Sequence, residues 1–112
     1  MRRRLAAAIL ILGAITFMGG NMSWAAKPHA LDALDHTDAG IMHGKQGHAD
    51  TLVFHLEKAL KHAEAAQVEN ASPEMAEAIK SLKTAIHYGN TGDARLGTQA
   101  AEEALEHIKA IK

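Results

Sequence analysis

The chain has no cysteine. No disulfide can therefore staple it, and no Cys-x-x-Cys-His segment can attach a haem. Its aromatics are four in number, Phe17, Trp24, Phe54 and Tyr88, so a core must be built from Leu, Ile and a great deal of Ala. Neither sign of charge dominates, with twelve Lys and Arg against thirteen Asp and Glu. That balance argues against a nucleic-acid partner. Catalytic signatures are also missing. Gly44-Lys45-Gln46-Gly47 lacks the consensus and the strand of a phosphate loop. No His-Glu-x-x-His appears, no Glu-x-x-His pair supports a di-iron bundle, and no nucleophile stands in a recognisable catalytic setting. A non-enzymatic role is expected.

The apolar run from Leu5 to Met18 follows Arg2, Arg3 and Arg4 and is too short for a membrane span of about 20 residues. With Ser23 and Ala25 as a small-x-small pair it reads as a secretory signal peptide over residues 1–25, cleaved before Ala26. An uncleaved anchor is the alternative. The expected product is one domain, residues 26–112, periplasmic and no longer tied to a membrane, and expected to act as a monomer. Losing three arginines leaves nine basic residues against thirteen acidic, a net charge of −4, and protonating all eight histidines would carry it to +4.

Apolar residues then recur at helical spacing. Ala30, Leu34, Thr37 and Ile41, widened by Leu31, mark a helix over about 28 to 43. Leu52, Leu56, Ala59, Ala63 and Ala66 mark one over about 48 to 68. Met75, Ile79, Leu82 and Ile86 mark a third from Pro73, capped by Ser72, to about 88. Gly97, Ala101, Ala104, Ile108 and Ile111 mark a fourth over about 93 to 111. Gly44 is expected to turn left-handed past the first helix, and Met42 and Met75 are expected in the core. The second half repeats the first at an offset of 45 residues: Pro28 matches Pro73, Gly44 and Gly47 match Gly89 and Gly92, and Glu57, Ala59, Leu60 and His62 match Glu102, Ala104, Leu105 and His107. The expected fold is all-α, an up-down-up-down four-helix bundle of two repeated αα-hairpins, about 28–68 and 73–111.

Histidines organise the first repeat. They stand at His29, His36 and His43, then at His48, His55 and His62, two strict seven-residue series mirrored about the Lys45-Gln46 centre of the turn. On antiparallel helices His29 shares its height with His62, His36 with His55, and His43 with His48, giving three rungs roughly 10.5 Å apart. Nitrogens on one transition-metal ion lie about 2.0 to 2.1 Å from it, so histidines seven apart on one helix cannot share an ion and each ion must be held across the hairpin. Asp32, three residues after His29 and four before His36, can complete either of two rungs, and Asp50 lies near the third. His107, with Glu103 one turn back and Glu74 opposite, is a poorer and more acidic candidate. His87 reads as a last-turn cation suited to the helix dipole. Imidazole sites favour copper(II) over nickel, zinc and cobalt. The competing reading is a periplasmic interaction or chaperone-like helical protein whose histidines sense pH or are incidental.

His43-Gly-Lys-Gln-Gly-His48, followed by His55-Leu-Glu-Lys-Ala-Leu-Lys-His62-Ala-Glu-Ala-Ala, resembles the small metal-binding protein family, exported His-rich bacterial domains. The resemblance implies a four-helix bundle that binds copper(II) and other divalent ions outside the cytoplasm, for buffering, storage or delivery. Histidines of that family run along all four helices, whereas the second half here keeps only His87 and His107.

Overall fold

The computed structural model describes residues 28–111, so the expected signal peptide over 1–25 lies outside the described residues. Four helices follow in order: α1 Pro28–Lys45, α2 Ala49–Glu69, α3 Pro73–Asn90 and α4 Ala94–Lys109. α1 pairs with α2 and α3 with α4, α2 lies beside α3 and α4 beside α1, and α2 and α4 touch across the diagonal. This is the bundle of two hairpins that the four apolar stripes predict. No helix among the described residues is long and apolar enough to cross a membrane.

Local chemistry sets the ends of these helices. Ser72 sits in extended conformation and its hydroxyl accepts from the Met75 amide at 3.0 Å, with Pro73 at the first helical position. Asp93 caps α4 in the same manner, accepting from the Leu96 amide at 2.9 Å. The two hairpin turns are copies of one another: Gly47 has φ 83° and Gly92 φ 85°, and each donates its amide 3.0 Å to a glycine carbonyl, of Gly44 or Gly89 respectively. The left-handed residue is thus Gly47 rather than Gly44. α1 runs on through Gly44 to Lys45, and Gly44 is buried, where a Cβ would collide with the Thr98 hydroxyl of α4. Its missing side chain permits close packing instead of a turn.

Leu52, Leu56, Met75, Leu82 and Ile108 fill the core with a lining of alanines, among them Ala33, Ala59, Ala63, Ala78, Ala101 and Ala104. Leu52 reaches where α4 has Gly97, whose missing Cβ would lie 2.7 Å from Leu52 Cδ2. A large residue of one repeat thereby fills the space left by a small one of the other. Met75 is buried as expected, but Met42 is 60% exposed. It falls on the outer face of α1, away from the stripe of Ala30, Ala33, Thr37, Gly40, Ile41 and Gly44.

Candidate metal centre

The heptad histidines stand beside the buried stripes rather than within them. His29 and His36 neighbour Ala30 and Thr37 on α1, and His55 and His62 neighbour Leu56 and Ala63 on α2. Those four and His43 are half-buried, while His48 at the start of α2 is exposed. The side chains meet along the seam where α1 and α2 pack. A seven-residue period drifts only slowly around a helix, so three successive histidines stay on one edge.

All three expected rungs are present. Ring centroids lie 5.3 Å apart for His29 and His62, 6.0 Å for His36 and His55, and 6.4 Å for His43 and His48. The expectation of isolated rungs needs correction, however. His36 also stands 5.7 Å from His62, and His43 stands 5.3 Å from His55. Equal Cα height does not mean equal ring height, because helical side chains tilt toward their own N-terminus. On antiparallel helices those tilts are opposed. Rings of α1 lean away from the turn and rings of α2 lean toward it, which brings His62 toward His36 and His55 toward His43. The six rings consequently form one staggered file in the order His29, His62, His36, His55, His43, His48.

At the outer end the file is already set for ligation. The Nδ1 atoms of His29 and His62 lie 3.1 Å apart, one donating to the other, and Asp32 Oδ2 lies 3.7 Å from His62 Nδ1. Among the described residues His29, Asp32 and His62 form a group whose potential ligand atoms all fall within 4.8 Å of one another. Two nitrogens each about 2.0 to 2.1 Å from an ion are at most about 4 Å apart, so the 3.1 Å separation of His29 and His62 is one that a single ion would accept. Glu69 joins from the last turn of α2, its Oε2 3.7 Å from His29 Nε2. Reading histidines alone misses Glu69. Its signal is the period itself, since it lies seven residues beyond His62 and continues the α2 series.

In the middle of the file, His55 Nδ1 is buried and has no hydrogen-bond partner among the described residues. Leaving such an atom unpaired costs about 1 to 3 kcal/mol, which a proton donor or an ion would recover. Burial holds the His55 imidazole below its ordinary value of 6.5, and positive charge on His43, His36 and Lys58 pushes the same way. Phe54 screens this ring from outside, meeting it edge-on at 5.4 Å, and Lys58 lies 4.9 Å over the Phe54 face. Burial and these charges both favour the neutral form of the His55 ring, the form that a metal ion requires.

At the inner end a helix cap is missing. His48 occupies the N-cap of α2 with φ −93° and ψ 84°, yet its side chain makes no capping bond. Asp93, its equivalent in the second hairpin, has the same angles and does cap. Asp50 is exposed in the first turn of α2.

The second hairpin carries Glu74, Ser81, Tyr88, Asp93, Ala100 and His107 at the places of the six histidines. His107 is half-buried in the last turn of α4, and the three-donor group that the described residues bring together is the one at His29 rather than one built on His107, Glu103 and Glu74. His87 is exposed in the last turn of α3 and its ring lies 5.9 Å from that of Tyr88.

No curated protein is significantly similar to this chain. A family model described as "Small metal-binding protein" matches residues 4–111, a span that takes in both hairpins and the file of imidazoles between α1 and α2. The chain belongs to the small metal-binding protein family.

Proposed function

We propose that this protein binds divalent transition-metal ions outside the cytoplasm, copper(II) above nickel, zinc and cobalt, and serves in their buffering, storage or delivery without catalysing a reaction. The observation that carries the reading is the pair of His29 and His62 nitrogens at 3.1 Å with the Asp32 carboxylate beside them. Two imidazoles and a carboxylate suit a borderline-soft divalent ion, and among such ions copper(II) binds most tightly to nitrogen ligands. The seam stands at the protein surface, so ions enter and leave without unfolding. Export rests on the basic, apolar and small-x-small order of residues 2 to 25.

Calorimetric titration of residues 26–112 with copper(II) tests the proposal, run beside a variant in which all six seam histidines are alanine. The intact chain should take up about three ions, one for each cross-helix histidine pair. The variant should lose them while circular dichroism stays helical. Equal uptake by both would contradict the reading.

A further inference from the structure

Two ways of pairing the file are built into its geometry. In the first, ions lie on the rungs, His29 with His62, His36 with His55 and His43 with His48. In the second, every α1 histidine takes the next residue of the α2 series: Glu69 with His29, His62 with His36, and His55 with His43. By ring separation the second set is as close as the first, although the one nitrogen pair already at 3.1 Å, His29 with His62, belongs to the first. The two imidazole pairs of the second set have ring planes within 6° and 4° of parallel at 5.7 and 5.3 Å, whereas the rungs are tilted by 33°, 27° and 35°. Glu69 completes the second set at the outer end, and only His48 is left over.

Resting on the metal-binding reading above, we propose that the seam is one continuous divalent-metal site with two registers of occupancy, between which bound ions step by exchanging one imidazole for its neighbour. His36, His43, His55 and His62 each face two partners across the seam. An ion held by His36 and His55 keeps His36 and trades His55 for His62, and the freed His55 pairs with His43. Each step breaks one metal–nitrogen bond and forms one new bond, to nitrogen within the file and to the Glu69 carboxylate oxygen at its outer end, with no change in the charge of the ion. His55, whose buried Nδ1 has no hydrogen-bond partner among the described residues, has its ring 6.0 Å from that of His36 and 5.3 Å from that of His43. Two consequences follow from shared ligands. Ions entering at one end can be passed along the seam, and loss of an end histidine is repaired by a shift of register.

A double variant separates this from three fixed sites. His29→Ala with His48→Ala breaks two of the three rungs, but leaves both shifted imidazole pairs, His62 with His36 and His55 with His43. His29→Ala with His62→Ala removes one rung and leaves two under either account. Copper(II) ions bound by two imidazole nitrogens are counted by electron paramagnetic resonance, with circular dichroism to confirm the helices. His48 makes no capping bond, so its removal leaves the start of α2 as it was. The shifting seam predicts equal counts for the two double variants, each two-thirds of that of the intact chain. A count for His29→Ala/His48→Ala near one-third, half that of the other variant, overturns the shift while leaving metal binding standing. An intact chain that takes up no copper(II) overturns the metal reading and this inference with it.

Discussion

The two hairpins share a backbone and part company along one edge. Their turns agree to within 2° in the φ of the left-handed glycine, 83° at Gly47 and 85° at Gly92, and both N-caps have φ −93° and ψ 84°. What differs is the set of side chains facing across each hairpin. In α3 and α4 the equivalent residues are Glu74, Ser81, Tyr88, Asp93, Ala100 and His107, and the one at the turn, Asp93, is spent on capping its helix. In α1 and α2 the same six places are histidines, the cap is forgone, and a buried ring nitrogen is left without a partner. One copy thus favours a stable frame. The other carries local costs at the positions proposed to ligate metal, and the shared core supports it.

That dependence can be broken most sharply at Leu52, which belongs to the first hairpin but packs toward Gly44, Gly89 and Gly97 from both. Leu52→Ala should cost about 2 to 5 kcal/mol of stability. In urea the variant should still unfold in a single transition, since the two halves share the rest of one core. Separate transitions for the two hairpins would show that neither supports the other.

A smaller effect compares the caps. Asp93→Ala removes a bond to the Leu96 amide and should cost about 0.5 to 2 kcal/mol. His48→Asp, which puts the residue of the second hairpin into the same backbone geometry, should stabilise the metal-free protein by about 1 kcal/mol. No gain in stability would show that the missing cap costs the first hairpin nothing.

The smallest expected effect is in the response to pH. At pH well above 6.5 His55 is neutral in both folded and unfolded chains and adds nothing to the pH dependence. As pH falls through that value the unfolded chain takes up the proton first, because burial and the neighbouring positive charges hold the folded value lower. Stability contributed at His55 is therefore lost as pH drops from 6.5 toward the lowered folded value, and no further loss follows below it. His55→Ala, which copies Ala100, should flatten that part of the metal-free stability profile measured by urea denaturation. An unchanged profile would place the pH sensitivity elsewhere.

Much of this molecule was legible because its periods are strict. The apolar positions of α2 and α4 are buried as the spacing requires, and Ser72-Pro73 marks a helix start through a side-chain acceptor and a fixed φ. The histidine pairs across the hairpin follow from the mirror about the turn. What stayed hidden depends on directions that a one-dimensional pattern does not carry. Cα heights give rungs, but the opposed tilt of side chains on antiparallel helices is what brings His62 to His36 and His55 to His43. Gly44 reads as a turn residue from its place after a histidine-ended stripe, yet the neighbour that needs its missing Cβ, Thr98, lies on a helix far along the chain. Met42 is apolar but falls on the outward side of α1. Glu69 is not a histidine and so stands outside the imidazole pattern, although it lies seven residues beyond His62 and continues the same series.

The central claim is that metal occupies the α1–α2 seam and not the equivalent edge of the second hairpin. Paramagnetic broadening of amide resonances during copper(II) titration of the isotopically labelled chain tests it residue by residue. At low loading the account predicts loss of signals around His29, Asp32, His36, His55 and His62, while those around Ser81, Tyr88 and Ala100 persist. Comparable broadening on both hairpins, or broadening that begins around His87 and His107, would contradict it.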